Sequence, residues 1–320
     1  MSISATTGTG DTVLDLSTCD AIFLSFDEPN ADVHYKRVLE LLPHAKRVHG
    51  VEGFDAAHRQ AGEVASSDHV ITIDADNLLV DDRFFTGRFD VSPRDRGAVF
   101  SFSARNVLNA LEYGNGGVKI WPRETLTTLR SHENAQRREA AVDFCWTTPY
   151  FQINRVLSEV HMTATPFQAF RGGFREGVKF NLAGGILAYE AWPDLPKSEA
   201  LLRHIGAANH ERLRVWCSVG LDTPNGDWAI LGARLGCVMT ALEDFDHIHV
   251  ADYAWIETFW RQEVFPKWND ADTRRDTVAE LGARLNAELA LEIADLNAEA
   301  SRFIKSTYRL QRAFGMTMTV

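Results

Sequence analysis

The sequence predicts an α/β fold in which a mostly parallel sheet is flanked by helices and followed by a long C-terminal helical extension. Three observations predict it. Apolar runs of five or six residues alternate with stretches of helical periodicity between residues 20 and 73. The connections between them are short and rich in Pro, Gly, Asn and Asp. From Asp272 onward, apolar residues recur every three or four positions.

Ala21 to Phe26 reads as the first strand, ended by the turn residues Asp27-Glu28-Pro29-Asn30. Asp32 to Leu42 carries helical spacing through Val33, Val38, Leu39 and Leu42, and Pro43 stops it. Lys46 to Val51 is a short strand, Phe54 to Ala65 a helix, and His69 to Ile73 a third strand. Gly97 to Phe102 and Val118 to Trp121 add two strands. Thr125 to Ala140 reads as a charged helix, and 141–250 as short helices and loops. The C-terminal stripe of Val278, Leu281, Leu285, Leu289, Ile293 and Leu296 predicts one long helix. It serves as a packed helix, a helical hairpin or a homodimer surface. Residues 1–18 read as a flexible tail, 19–250 as the main domain (halves 19–125 and 126–250) and 251–320 as the extension.

The chain has 320 residues, 45% hydrophobic and 24% charged, enough for a large core. Its net charge of −11 argues against a protein that coats nucleic acid. No apolar run approaches the length that spans a bilayer, and residues 1–10 lack the basic and apolar parts of a secretory signal. Cys19, Cys145, Cys217 and Cys237 form no C-x-x-C pair. Reduced thiols in the cytoplasm are the expectation.

The residues richest in chemistry are Asp74-Ala75-Asp76, where the third strand ends. Acids at the carboxyl end of a strand in an open α/β sheet lie in the ligand-binding crevice. Two carboxylates one residue apart can hold a hard cation, and that cation a diphosphate. Ser25 and Asp27 end the first strand and His49 the second, on the same edge if the strands are parallel. Asp27 serves equally as a helix cap.

Tyr113-Gly114-Asn115-Gly116-Gly117-Val118-Lys119 reads as a loop whose glycines allow positive φ and close approach to a ligand. Lys119 is placed to meet phosphate or sugar, with Arg105 and Asn106 before it. Asp143, Asp222 and Asp227 are candidate general bases. His247 and His249, alternating in an extended segment, would share one face, and His249 is a candidate metal ligand beside Asp74 and Asp76. Arg171, Arg175 and Lys179 lie among Phe and Gly and suit a phosphate backbone. Arg302, Lys305, Arg309 and Arg312, spaced three, four and three apart, form a basic helix face in a stretch without acids. For each of these charges an ordinary solvated or capping role is the alternative.

The segments Phe23–Asp32, His44–Val51 and Ile73–Asn77, with Arg105-Asn106 and Tyr113–Lys119, resemble metal-dependent GT-A glycosyltransferases carrying a DxD motif. The likeness is closest to bacteriophage enzymes that glycosylate hydroxymethylated pyrimidines in DNA, and it spans about residues 20–240. The resemblance implies a nucleotide-sugar donor, a UDP-sugar above all, with Mn²⁺ or Mg²⁺. It implies that Asp74 faces ribose or metal and that Asp76 ligates the metal. Double-stranded DNA is the implied acceptor, and a phage-encoded chain would act in the host cytoplasm. A glycan or protein acceptor, a nucleotidyltransferase and a non-catalytic helical assembly protein are the alternatives. The acidic Asp27-Glu28-Pro29-Asn30 stands where a nucleotidyltransferase needs a Gly-rich basic loop.

Overall fold

The computed structural model describes residues 13–114, 116–131 and 149–313, with side chains as far as residue 307. Asn115, Asp143 and Cys145, and the side chains of Arg309 and Arg312, lie outside the described residues. The chain forms two compact units. The first comprises residues through Ala104, Tyr113–Leu129 and a segment ending at Glu159; the second comprises Arg105–Glu112 and the chain from Val160 onward. The division therefore does not fall at residue 125, because the chain leaves the first unit and returns to it.

The first unit opens with β1 (Val13–Asp15), which pairs antiparallel with β6 (Arg88–Asp90). Residues 13–18 are thus part of the fold and not of a tail. Next come β2 (Asp20–Ser25), α1 (Ala31–Leu41), β3 (Lys46–His49), α2 (Phe54–Val64) and β4 (His69–Asp74). β2 pairs in parallel with both β3 and β4. Further strands are β5 (Asn77–Leu79), β7 (Val99–Asn106), β8 (Glu112–Tyr113), β9 (Val118–Pro122) and β10 (Tyr150–Val160). The sheet order is β3-β2-β4-β9-β7-β10-β5, with β8 beside β7. β9 runs antiparallel to β4 and to β7, so the sheet is mixed. Ile71, Ile73, Phe23, Phe102 and Ile120 form its fully buried core. Each such side chain contributes about 1.5–3 kcal/mol of burial.

The helix expected over 125–140 is, within the described residues, the short α3 (Arg123–Thr127). The Thr127 and Thr128 hydroxyls both donate to the Glu124 carbonyl, which closes the turn there.

The second unit is mainly helical. α4 (Pro166–Lys179) starts at Thr165, whose side chain accepts from the Gln168 amide, with Pro166 preset for the first turn. β11 (Leu182–Ala183) and β12 (Ile186–Leu187) form a small hairpin before α5 (Ala188–Ala191) and α6 (Lys197–Trp216). α7 (Gly226–Leu242) packs along α4. A Cβ at Gly173 or Gly177 would collide with the carbonyls of Ala229 or Ala233, and one at Gly232 or Gly236 with those of Phe170 or Phe174. The two backbones therefore touch; within Arg171-Gly172-Gly173-Phe174, Gly173 serves this helix packing and Gly172 makes room for the Met162 side chain.

α8 (Tyr253–Phe259) passes through a wide turn over Trp260–Val264 into α9 (Phe265–Trp268). The Phe265 amide reaches back to the Trp260 carbonyl. Pro266 explains this, since it cannot donate within a regular helix. α10 (Ala271–Leu289) ends at Ala290, which adopts φ 51°, and α11 (Ala298–Ala313) follows. The predicted single helix is thus broken. The Asn286 side chain holds both the amide and the carbonyl of Ile293 and fixes the break. Leu285, Leu289 and Ile293 of the predicted stripe are buried, while Val278, Leu281 and Leu296 are partly exposed. No helix among the described residues is long and apolar enough to cross a membrane.

Candidate functional site: the acid turn of the first unit

Strand register places the predicted edge as expected. Ser25 stands opposite His49, and Leu24 opposite Asp74, in parallel pairs. The carboxyl ends of β2, β3 and β4 thus lie together. Asp27 and His49 are exposed, and Asp74 and Asp76 are half-buried. Phe26, between Ser25 and Asp27, is 48% exposed.

Ser25 sits in a small polar cluster. His49 Nδ1 lies 3.0 Å from its hydroxyl, and Arg47 Nε donates to the same oxygen at 2.8 Å. Arg47 also pairs with Asp32 at 2.7 Å and lies over the rings of Phe23 and Tyr35. Arg47, which the sequence does not single out, thus orders the ends of β2 and β3.

The turn Asp74-Ala75-Asp76-Asn77 is held from several directions. The Asp74 amide donates to the Gly117 carbonyl at 2.9 Å. Asn77 Oδ1 accepts from the Gly117 amide at 3.2 Å and from Ser158 Oγ at 2.7 Å. Asn77 Nδ2 donates to Asp76 at 2.6 Å. From α1, the buried His34 donates through Nδ1 to the Ala75 carbonyl at 2.7 Å. A carbonyl only accepts, so the Nδ1 proton is fixed.

The glycines following β8 play a different part from the one expected. Neither Gly116 nor Gly117 has positive φ. A Cβ at Gly116 would strike the Phe102 carbonyl, and one at Gly117 would strike Asn77 and Asp74. Gly116 lets the loop lie against β7 and Gly117 lets it lie against the acid turn, so the close approach is to protein. Lys119 is also corrected. It is 5% exposed and points inward, with Nζ 3.1 Å from the Gly116 carbonyl and 3.8 Å from Asp74 Oδ2. It is a partner of Asp74 and not a surface hand for phosphate.

His58 of α2 lies beneath, stacked on Phe54 and edge-on to Trp121, whose indole donates to Thr72 at 2.8 Å. Its Nδ1 donates to the Phe54 carbonyl, and Nε2 is buried with no hydrogen-bond partner. Burial brings its pKa down to about 4, against an opposing pull from Asp74.

The remaining candidates belong to the second unit. Arg105 pairs with Glu112 at 2.8 Å. Asp222 forms an ion pair with Lys305 at 2.9 Å, both side chains largely buried, and Lys305 also donates to Thr223. Asp227, in the first turn of α7, is gripped by Arg274 at 2.6 Å, and Arg274 lies on the Trp228 ring. Both acids are committed to cations, so neither stands as a free base. Lys305 likewise leaves the basic face, of which Arg302 remains exposed.

His247 and His249 lie in a 3₁₀ turn (His247–Ala251) and not in an extended segment. His247 is buried, while His249 is exposed and stacked on Trp255, so they do not share a face. Arg171, Arg175 and Lys179 fall four apart on α4, with Arg171 over Phe167 and Tyr253. Cys217 and Cys237 are buried free thiols, and burial pushes the Cys237 thiol up to about 12.

Among the described residues, no three His, Cys, Asp or Glu side chains converge as a ready metal cage. Asp74 and Asp76 fit a hard cation that draws its other oxygens from water or a diphosphate. No family model matches the chain, and no curated protein matches it.

Proposed function

We propose that the chain is a metal-dependent glycosyltransferase of the GT-A kind. It moves a sugar from a nucleotide-sugar, a UDP-sugar above all, to a hydroxyl acceptor. The observation that carries this reading is the acid turn: two half-buried carboxylates at the carboxyl edge of three parallel strands, beside Ser25 and His49. The resemblance of the same segments to GT-A enzymes supports it.

On this reading Asp76, with Asp74 beside it, holds Mn²⁺ or Mg²⁺. The cation supplies Lewis-acid stabilisation of the departing diphosphate. Ser25, Asp27 and His49 lie where a nucleoside would be bound and oriented. Gly117 sets the floor of the turn, and Lys119 holds Asp74 from within. The acceptor proposed is a 5-hydroxymethylpyrimidine base in phage DNA, with Arg302 and the arginines of α4 as candidate contacts to its phosphates. The sheet and acid pair would also suit a nucleotidyltransferase, but Asp27 and Glu28 leave the position after β2 acidic.

The test is to incubate the chain with Mn²⁺ and a panel of UDP-sugars, with and without 5-hydroxymethylpyrimidine DNA. Released UDP and mass added to the DNA are the expected results. UDP release without DNA modification would remove the DNA acceptor and keep the transferase. No UDP release from folded protein under any condition would overturn the transferase.

A further inference from the structure

We infer that Arg47, acting through Ser25, sets the hydrogen-bonding polarity of His49. The imidazole is fixed with its proton on Nε2, so His49 meets its ligand as a donor. The ligand atom it meets is an oxygen acceptor of a nucleotide. That ligand rests on the reading of this edge as a nucleotide site; the tautomer does not.

The strand register builds the cluster. Phe23 stands opposite Arg47, and Ser25 opposite His49, in the parallel pair of β2 and β3. Opposed residues share a face of a sheet, as do residues two apart on one strand. All four therefore lie on one side. Tyr35 of α1 packs there against Phe23, with ring centroids 5.2 Å apart. Beyond His49, the Gly50 amide still donates to the Ser25 carbonyl at 3.0 Å, and Gly50 then turns the chain at φ 74°. His49 is thus held beside Ser25 at a pinned strand end.

The protons follow in order along the cluster. Arg47 is a donor only and stays charged. It lies over the rings of Phe23 and Tyr35, and Asp32 takes its Nη1 at 2.7 Å. Its Nε donates to Ser25 Oγ at 2.8 Å, which fills one lone pair of that oxygen. Ser25 is 7% exposed. Among the described residues, the one acceptor for its hydroxyl proton is His49 Nδ1, at 3.0 Å. The reverse arrangement, with Nδ1–H donating to Oγ, would bury the hydroxyl proton without an acceptor, which is costly. The hydroxyl therefore donates to Nδ1, and the proton of the neutral ring sits on Nε2.

This gives the site a direction. His49 is exposed, and no group among the described residues meets its Nε2. A carbonyl, hydroxyl or phosphate oxygen satisfies such a donor, whereas an amino or ring N–H group does not. Arg47 acts through Ser25 and does not touch the ligand, so it is a positioning residue.

Two measurements test the two halves. The first is the ¹⁵N spectrum of the His49 ring in the unliganded chain, recorded well above the usual imidazole pKa of about 6.5. Nε2 should carry the proton, and Arg47→Met or Ser25→Ala should bring in the Nδ1–H form. A proton on Nδ1 in the parent, or a ring spectrum that neither folded variant alters, would overturn the relay.

The second is affinity for UDP with Mn²⁺ by calorimetry. His49→Gln keeps an N–H where Nε2 stood and should bind nearly as well as the parent. His49→Met keeps the length without the donor and should lose about tenfold. Ser25→Ala should weaken binding in the parent background and not further in His49→Gln, because an amide has no tautomer to set. A Ser25→Ala loss that persists in His49→Gln marks a structural role only and would overturn the relay's part in binding. His49→Gln as weak as His49→Met would overturn the donor assignment. If the folded parent binds no UDP, the nucleotide reading of this edge falls and the proposed ligand with it, while the ring spectrum still decides the tautomer.

Discussion

The Nδ1–H of His34 and the carbonyl of Ala75 are hydrogen-bonded at 2.7 Å across 41 residues of chain. The bond ties α1 to the middle residue between the two acids. Replacing His34 by Phe keeps the volume but leaves a buried carbonyl unpaired. The expected cost is about 1–3 kcal/mol in urea denaturation, with weaker Mn²⁺ binding because Ala75 is no longer pinned. A variant as stable and as tight as the parent would show that the clamp is idle.

Gly117→Ala asks the same question from the opposite strand. Its Cβ would meet Asn77 and Asp74, so the turn or the loop must move. Overpacking of this kind costs about 1–3 kcal/mol. UDP release should fall more steeply than stability, because the displaced groups are the acids. Retained activity at reduced stability would place the chemistry elsewhere.

His58 gives the first unit a pH dependence. Its folded pKa is about 4, below the unfolded value of 6.5, chiefly through burial. The stability from burying it neutral is fully present above about pH 6.5 and is lost as pH falls toward 4. The loss is on the order of 3 kcal/mol across that window. His58→Phe should show a flatter stability profile between pH 7 and 4.5. Asp20 acts lower in pH: despite desolvation, its bonds from Ser66, Ser67 and Lys46 hold its carboxyl well below the usual range. An unchanged slope in His58→Phe would assign the acid sensitivity to other groups.

In the second unit, Asp222→Asn should destabilise by about 3–5 kcal/mol, because Lys305 would be left charged and largely buried. The Asp227 carboxylate is more exposed, so Asp227→Asn should cost less. Steady-state assays with UDP-sugar should find both variants, where folded, with kcat near that of the parent. A thousandfold drop in kcat for either would restore it as a base.

Much of the first unit is legible in the sequence. The run β2-α1-β3-α2-β4 matches its apolar periods within a residue or two, because short parallel units are specified locally. The edge carrying Ser25, His49 and Asp74 follows from that run. Partners distant in sequence were not legible. The lysine in Val118-Lys119-Ile120-Trp121 reads as a solvent-facing alternation, and only the antiparallel register with β4 turns it inward toward Asp74. β10 was missed because Tyr150–Val160 is mostly half-exposed and alternates weakly. The glycines of α4 and α7 did carry a readable signal. Gly173 and Gly177, and Gly232 and Gly236, each recur four apart, the spacing that lays a smooth stripe along a helix. The histidines after Asp246 misled because that side chain accepts from the Ile248 amide and winds the segment into a helical turn.

The acid turn draws its supports from α1, from the start of β5, from the loop before β9 and from β10. Four stretches of chain, far apart in sequence, must be in place before Asp74 and Asp76 take their positions. A ligand seated there would therefore register as heat resistance of the whole first unit. At a hundredfold excess over its dissociation constant, it would add about 2.7 kcal/mol to the unfolding free energy. A melting curve recorded with each metal and nucleotide-sugar in turn could identify the natural ligand without any knowledge of the acceptor.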